Sequence, residues 1–235
     1  MRNRVLIPEQ MDDPELDRDE HARALRGLQR INRWTRNASL VWKYVSQVAC
    51  EVGDRPLRVL DIATGAADIP IALLKMSESR GVKLEIDACD FSDQAIAVAT
   101  ENCAVAKVGV RLFHHDILRD ELPERYDVVM CSQFLHHLTN EDVALVLRKM
   151  KSAATKRVVA VDLERGLANW LQVWFATRVL SRSKVVHFDG PQSIRAAFTL
   201  AEFNSLVKQV GFASYELRRK WPCRFVLVGE IDGTA

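Results

Sequence analysis

Apolar residues near the start of the chain recur at the spacing of α-helices. Between Pro14 and Ala49 they return every three or four positions, which is the period of a helix that buries one side. The run Asn37-Ala38-Ser39 interrupts this pattern and predicts a break between two helices. We therefore expect residues 1–52 to form an N-terminal helical cap.

Beyond the turn at residues 53–56, short apolar runs alternate with helical patterns. The predicted strands are Leu57–Ile62, Lys83–Cys89, Val110–His114, Tyr126–Cys131 and Arg157–Asp162, and the predicted helices between them are Ile69–Ser77, Asp93–Ala106 and Asn140–Ala154. Strands and helices that alternate through short loops predict a mainly parallel sheet with helices on both faces.

The last part of the chain predicts a different strand connection. After a helix at Thr199–Val210, the strands Phe212–Arg219 and Cys223–Gly229 are separated by very few residues. A parallel crossover needs about a dozen residues or more, so these two strands can only pair antiparallel. Residues 53–235 are thus predicted to form one α/β domain with a seven-stranded, mainly parallel sheet and an antiparallel last strand.

A long segment, residues 164–198, stands where a strand-to-helix connection is normally short. Its apolar residues have helical spacing from Leu167 to Leu180, and the run His187–Phe198 is predicted to contain a turn whose polar groups face a cleft. The apolar side of this insertion either packs on the sheet or forms a lid over a hydrophobic or aromatic ligand. The candidates for contact with such a ligand are Trp170, Trp174, His187 and Arg195.

Composition indicates a soluble protein with a small-molecule ligand. The 33 Lys and Arg residues balance 31 Asp and Glu residues, so the net charge provides no field that attracts nucleic acids or anionic bilayers. Five cysteines without a Cys-x-x-Cys pair fit free thiols in a reducing cytosol. The apolar helix at residues 167–180 is shorter than the roughly 20 residues that a membrane span needs. We therefore predict a cytoplasmic protein without a transmembrane segment or nucleic-acid partner, and leave open whether it forms a homodimer.

Two acidic residues end neighbouring predicted strands. Asp61 stands at the end of the first strand, before a tight loop around Gly65 and a helix, and Asp90 follows the next strand. Small residues in such a loop let backbone N–H groups approach a ligand, and a carboxylate at the second position can accept hydrogen bonds from both hydroxyls of a ribose. The alternative for the first loop is a close-packed turn without a ligand. Together the two features predict a nucleoside ligand.

Residues 57–163 resemble the class I S-adenosylmethionine-dependent methyltransferases. The loop of that family typically reads Asp-x-Gly-x-Gly-x-Gly; here Asp61 and Gly65 match, whereas Ala63 and Ala67 replace two glycines. Alanine is tolerated at both positions if the φ angles are negative. Further matches follow in the same order along the chain: Asp90, His115-Asp116-Ile117, Tyr126–Ser132 and Gln133–Leu138. The resemblance implies a Rossmann-like fold that binds S-adenosylmethionine and releases S-adenosylhomocysteine.

The resemblance also implies a role for each matching residue. Asp61 would belong to the cofactor site, and Ala63, Thr64 and Gly65 would pass under the methionine part of the cofactor. The remaining contacts would be Asp90 at the ribose, Phe91 against the adenine, Asp116 and the Ile117 backbone at the adenine amino group, and Cys131 and Ser132 beside the sulfonium. The alternatives are that Phe91 is a core residue, Asp116 a turn cap and Cys131 an inert strand thiol.

Two histidines and an arginine are further candidates for chemistry. His136 and His137 follow the fourth predicted strand, where an imidazole that titrates near neutrality can act as a general base; the alternative is that both only hold the loop. Arg33 is a candidate partner of the cofactor carboxylate or of an acidic substrate group, or else a solvated helix residue. His114-His115-Asp116 are adjacent on a strand end and point apart, so we predict no metal site.

The resemblance favours methyl transfer to a small apolar or aromatic acceptor. We expect O-methylation rather than C-methylation, because a phenol needs only deprotonation and positioning. The insertion is similar to the lid regions of quinone and polyketide-type methyltransferases. A nucleic-acid methyltransferase is disfavoured because residues 132–135 lack an Asn/Asp-Pro-Pro-Tyr run, and an NAD-type dehydrogenase because the loop lacks Gly-x-Gly-x-x-Gly. A non-enzymatic protein that keeps this fold is the other alternative.

Overall fold

The computed structural model describes residues 1, 3–12 and 15–231, apart from several side chains of the first helix. The helices are α1 (Arg18–Trp34), α2 (Asn37–Ala49), α3 (Asp68–Ser79), α4 (Asp93–Ala106), α5 (Asn140–Ala153), α6 (Leu167–Leu180), α7 (Lys184–Ala196) and α8 (Leu200–Val210). The strands are β1 (Leu57–Ile62), β2 (Leu84–Asp90), β3 (Val110–His114), β4 (Tyr126–Ser132), β5 (Ala154–Leu163), β6 (Ser214–Lys220) and β7 (Arg224–Glu230). Short 3₁₀ helices lie at Gln10–Asp12 and Leu135–His137.

The break between α1 and α2 differs from the prediction. It lies at Thr35 and Arg36, because Arg36 adopts the left-handed conformation with φ 55° and ψ 38°. Asn37 does not interrupt a helix but begins α2, with a fully buried side chain. Its polar side chain is accepted there because it hydrogen-bonds to two other elements, Ser132 and Arg224.

The seven strands form one sheet in the order β3-β2-β1-β4-β5-β7-β6. Strands β1 to β5 run parallel, and β7 pairs antiparallel with both β5 and β6. The predicted Rossmann-like class is thus confirmed. From β1 the strand order first extends through β2 to β3, and it then continues on the opposite side of β1 with β4. In such sheets ligands bind at the carboxyl ends of the strands beside this reversal of strand order. The loops after β1, β2 and β4 begin at that edge.

Apolar side chains fill both faces of the sheet. Leu60 faces the layer that contains Phe203 of α8, whereas its neighbour Val59 faces the layer that contains Val45 of α2. Successive side chains of a strand point to opposite faces, so β1 is buried on both sides, as its continuous apolar run predicted. This packing holds the carboxyl ends of β1 and β4 in a fixed position at the site edge.

The insertion after β5 folds as two helices, α6 and α7. The run His187–Phe198, which was predicted to contain a turn, lies mostly within α7 even though Gly190 and Pro191 are part of it. Gly190 has a packing role: a Cβ there would stand 2.6 Å from the Thr177 side chain of α6, so glycine lets the two helices approach closely. Among the described residues, no helix is long and apolar enough to cross a membrane.

Candidate active site

The loop between β1 and α3 is tied to the end of β2. Thr64 N donates to Cys89 O at 3.0 Å, and Gly65 N donates to Asp90 Oδ2 at 2.9 Å. Thr64 Oγ1 donates to the buried Asp61 Oδ2 at 2.8 Å. These bonds bring the two acidic positions predicted from sequence, Asp61 and Asp90, to the same short loop.

Three residues of this loop have left-handed backbone conformations. The φ angles are 54° at Ala63, 55° at Gly65 and 57° at Ala67. Negative φ angles, the condition under which alanine is easily tolerated at these two positions, are therefore not met. An L-residue in this region costs about 1–2 kcal/mol, and here the loop's hydrogen bonds to β2 hold it in place. The backbone thus follows a path suited to the glycines that these alanines replace.

The carboxyl group of Asp61 is buried. Burial raises its pKa to about 8, although the hydrogen bond from Thr64 lowers it, and the negative charges of Asp68 and Asp90 raise it further. A carboxyl group with this pKa is largely protonated at neutral pH in the ligand-free chain. A cation bound nearby would favour its ionised form.

Asp90 and Phe91 present groups that fit a nucleoside. Asp90 accepts hydrogen bonds from Gly65 N and, through Oδ1 at 3.0 Å, from Ser92 N. A carboxylate has about four acceptor positions, which leaves capacity for ribose hydroxyls. The side chain of Phe91 is 65% exposed, so the alternative that it is a core residue does not describe it.

Asp116 forms a turn cap after β3. Its Oδ1 accepts from Leu118 N at 3.0 Å, its carbonyl oxygen accepts from the backbone N of Arg119 and Asp120, and its Oδ2 lies 3.4 Å from Arg119 Nε. Ile117 is buried among core residues. Asp116 therefore makes the contacts of a turn cap, which was the alternative to its role in cofactor binding. Its carboxylate has further lone pairs, and it lies at the edge of the sheet where the candidate site is.

The last two residues of β4 differ from one another. The Cys131 side chain lies in the core, and burial raises the pKa of its thiol well above the usual value, as an inert strand thiol would have. Ser132 Oγ instead accepts from Asn37 Nδ2 at 2.6 Å, and Asn37 Oδ1 accepts from Arg224 Nη1 at 2.8 Å. This buried chain joins α2 and β7 to the end of β4. Sequence reasoning did not find Asn37 or Arg224.

The two candidate histidines have different surroundings. His136 is buried, and its Nδ1 lies 2.7 Å from Asp162 Oδ1 while its Nε2 lies 3.8 Å from Glu9 Oε1. Burial disfavours the charged imidazole, but the two carboxylates outweigh it and raise the pKa of His136 to about 10. His136 is thus a cation held between two acids.

His137 packs its exposed ring on His136, with the ring centroids 4.1 Å apart. The surrounding protein and the charge on His136 lower the pKa of His137. His137 is therefore neutral at pH 7, unlike the charged His136, but its lowered pKa makes it a weaker base than an ordinary imidazole.

The N-terminal segment completes this cluster. Arg4 Nη2 donates to His136 O at 2.8 Å and Leu138 O at 2.6 Å, and its guanidinium stacks 3.7 Å from the Phe198 ring. Glu9 also accepts a short hydrogen bond from Ser193 of α7. No local pattern signals these contacts, since Arg4 and His136 are 132 positions apart in sequence.

Glu9, His136 and His137 bring three groups of the kind that bind metals within 4.8 Å of one another. This set differs from the run at residues 114–116 that was considered from sequence. The positive charges of His136 and Arg4 already neutralise the carboxylates here, and a cation beside them would meet repulsion. We therefore interpret the cluster as an ion-pair network and assign no metal to it.

The residues predicted to contact an acceptor lie in the insertion. Trp174 is 40% exposed and stacks with Arg178 at 4.0 Å, whereas Trp170 is half-buried. His187 Nε2 lies 2.9 Å from Ser181 O, and Arg195 Nη1 donates to Gln192 at 3.1 Å. These side-chain contacts of His187 and Arg195 are local to α7 and the α6–α7 connection, whereas the Arg195 carbonyl oxygen accepts a hydrogen bond from Val5 N at 3.1 Å. The side chain of Arg33 lies outside the described residues.

A family model described as a methyltransferase domain matches residues 59–157. This segment contains the loop after β1, Asp90 and both histidines, and it forms part of the Rossmann-like sheet described above. Residues 59–157 thus resemble a methyltransferase domain in sequence.

The chain matches curated relatives over part of their length. The ribosomal protein L11 methyltransferase of Trichlorobacter lovleyi is 30% identical over 92 residues, which cover 39% of this chain and 28% of the relative. The demethylmenaquinone methyltransferase of Deinococcus radiodurans is 33% identical over 78 residues, which cover 33% of this chain and 31% of the relative. The chain thus matches about three tenths of the length of these relatives.

Solved structures share the fold over most of the chain. The plantazolicin methyltransferase BpumL, in complex with S-adenosylhomocysteine (SAH) and a substrate analogue, has a TM-score of 0.71 at 16% identity and covers 92% of this chain and 91% of its own. An O-methyltransferase-like protein from Nostoc punctiforme has a TM-score of 0.65 at 20% identity and covers 97% of this chain and 64% of its own. At these identities the likeness concerns the fold.

Proposed function

We propose that the chain binds S-adenosylmethionine at the loop after β1 and transfers its methyl group to a small acceptor. The observation that carries this proposal is the hydrogen bond from Gly65 N to Asp90 Oδ2, with a length of 2.9 Å. A Cβ placed on Gly65 would meet nothing within 4 Å among the described residues, so a ligand can approach this backbone closely. Asp90 retains acceptor capacity, and the adjacent Phe91 offers an exposed ring. The residues present therefore fit a nucleoside-containing cofactor.

The cofactor supplies a methyl group on a positively charged sulfonium. The protein's contribution is binding and orientation. In the proposed complex, Ala63, Thr64 and Gly65 support the methionine part, Asp90 binds the ribose and Phe91 contacts the adenine. Asp61 would balance the positive charge, because a cation favours its ionised form.

Ser132 is the residue of β4 that we place beside the sulfonium. The chain of hydrogen bonds through Asn37 to Arg224 fixes its hydroxyl group. A fixed hydroxyl keeps the end of β4 in one orientation towards the reacting methyl group, which is the kind of positioning that accelerates transfer between bound groups.

For the acceptor, we propose a small apolar or aromatic compound that is methylated on oxygen. His137 is the candidate general base, because its ring is exposed and neutral while His136 is charged and enclosed by Asp162 and Glu9. His136 is a positioning residue in this scheme: its buried ring lies against the ring of His137, with the centroids 4.1 Å apart. The Deinococcus radiodurans relative is named for a quinone-type acceptor, which agrees with this class.

Calorimetric titration with S-adenosylmethionine and SAH tests the cofactor assignment. Asp90→Asn keeps the shape of the side chain but removes its charge and half of its acceptor capacity, so we expect binding to weaken by about tenfold or more. Asp93→Asn is the matched control, because Asp93 lies three residues further on and its side chain is 93% exposed. No detectable binding by the unmodified chain at millimolar cofactor would refute the proposal.

Methyl transfer from isotope-labelled cofactor to a panel of phenols and quinols tests the acceptor class. We expect His137→Asn to lower kcat by about 10²-fold or more, the usual contribution of a general base, without weakening cofactor binding. Unchanged kcat in this variant would remove His137 from the mechanism while leaving cofactor binding intact.

A further inference from the structure

An exposed apolar stripe runs along one side of α6. Leu167, Leu171, Phe175 and Val179 follow at intervals of four residues, and each is more than half exposed. Residues four positions apart lie on one side of a helix. In soluble proteins such a row normally packs on a core. Here α7 packs on the other side of α6, where Gly190 lies against Val173 and Thr177, and α1 also contacts α6. The stripe is therefore an apolar surface that the described part of the chain leaves uncovered.

Two exposed tryptophans lie near the first half of α6. Trp34 and Trp221 are 53% and 75% exposed, and their ring centroids lie 5.9 Å apart. Trp221 belongs to the tight connection between β6 and β7, which reaches α6 where Cys223 Sγ lies 3.6 Å from Gln172 Oε1. Because β7 begins beside the carboxyl end of β5, the stripe and the tryptophans lie at the same edge of the sheet as the candidate active site.

Positive charges gather at the other end of α6. Arg178, Arg182 and Lys184 are exposed, and Arg30 Nε donates to Leu180 O at 2.9 Å, which places a fourth cation at the C-terminus of the helix. Arg178 lies against the ring of Trp174 at 4.0 Å, so apolar and basic groups are in contact.

The sequence around α6 carries basic residues but no acidic ones. Residues 166–188 contain no Asp or Glu. The acidic residues that α1 carries in its first turn, Asp19 and Glu20, lie about 15 Å along the helix axis from Arg30. The chain's net charge of only +2 does not reveal this concentration.

We propose that the surface formed by α6, Trp34 and Trp221 docks on a bilayer that contains anionic phospholipids. A helix with an apolar side and basic neighbours lies in the headgroup region, where it gains from both apolar burial and attraction to anionic lipids. Tryptophan is enriched at that depth. Binding of this surface to the bilayer does not depend on methyl transfer. It would make the sheet edge that carries the candidate site face the bilayer, in which apolar acceptors dissolve.

Co-sedimentation with lipid vesicles tests the proposal on the unmodified chain. We expect binding to vesicles of equimolar phosphatidylcholine and phosphatidylglycerol, weaker binding to phosphatidylcholine alone, and loss of the difference at high salt because exposed charges are then screened. Equal binding to both vesicles, or binding to neither, overturns the proposal.

Two double variants separate the apolar and charged contributions. Leu171→Ser with Phe175→Ser should weaken binding to both vesicles by at least about tenfold. Arg178→Gln with Arg182→Gln should weaken binding to the anionic vesicles by about 25-fold, at roughly fivefold per charge, and leave binding to phosphatidylcholine unchanged. All four side chains are exposed, so the fold should survive, which circular dichroism can verify.

The matched controls lie on other helices. Val105→Ser removes an exposed apolar side chain of α4, which is 84% exposed, and Arg148→Gln removes an exposed charge of α5. Neither should change vesicle binding, and an equal loss in these controls overturns the assignment of the surface. A dimer in sedimentation equilibrium that Leu171→Ser with Phe175→Ser dissociates, without vesicle binding by the unmodified chain, would show that a second copy is the occupant instead.

Discussion

Substitution of Gly65 by alanine tests the conformation of the loop after β1. The φ angle of Gly65 is 55°, and a Cβ there would meet nothing within 4 Å among the described residues. Any loss of stability therefore comes from backbone strain rather than from a clash. The strain costs about 1–2 kcal/mol, and alanine recovers about 0.4–1 kcal/mol by restricting the unfolded chain. We expect a net destabilisation of roughly 1 kcal/mol.

The matched control is Gly109→Ala. This glycine has the same free space around its Cβ position but no positive φ angle, so alanine should stabilise the chain by about 0.4–1 kcal/mol. The two variants should differ by about 1–2 kcal/mol in urea unfolding. In a chain of this size that difference corresponds to roughly 2–8 °C in Tm.

Binding gives a second, independent readout for the same variant. The free space over Gly65 is where we place the cofactor, so Gly65→Ala should weaken cofactor binding, and Gly109→Ala should not. If Gly65→Ala is as stable as Gly109→Ala, the left-handed conformation is wrong. If Gly65→Ala is less stable than Gly109→Ala but binds the cofactor normally, the left-handed conformation is supported and the proposed position of the cofactor is wrong.

Three further predictions concern buried polar groups. His136 has a pKa of about 10 in the folded chain, above its ordinary value of 6.5. Its contribution to the free energy of unfolding is therefore full below about pH 6.5 and is lost as the pH rises towards 10. Urea unfolding across this range should show the decline, and the His136→Gln variant should show a flatter pH dependence. Asp61 has a pKa of about 8, so binding of S-adenosylmethionine should release a proton, and the affinity should rise with pH up to about pH 8. Calorimetry measures both effects, and in Asp61→Asn the affinity should no longer depend on pH. Asn37→Ala should cost about 1–3 kcal/mol in unfolding free energy, because it leaves buried groups of Ser132 and Arg224 without their partner; the exposed neighbour Ser39→Ala should cost almost nothing, and equal values for both would contradict the role of this hydrogen-bond chain.

The sequence by itself predicted the elements that depend on local pattern. Periods of two and 3.6 residues distinguish strands from helices, so the order of elements, the parallel sheet and its antiparallel end could be predicted before the structure. The positions of Asp61, Gly65 and Asp90 at the carboxyl ends of β1 and β2 follow from the same reasoning, because parallel strands present these ends at one edge.

Conformations that depend on tertiary contacts were not predictable in this way. The left-handed φ angles of Ala63 and Ala67 arise from a loop held by hydrogen bonds to β2, against the local preference of alanine. In α7, a Gly-Pro pair that locally favours a turn stays helical because Gly190 packs closely on α6.

Long-range electrostatics were decided only by the tertiary structure. Adjacent histidines look alike in sequence, yet Glu9 and Asp162 hold His136 as a cation, while His137 is neutral beside it. Arg30 likewise joins the basic end of α6 from another helix. The energy of a buried or clustered charge depends on its distance to other charges and to water, and the fold sets those distances between residues that lie far apart along the chain.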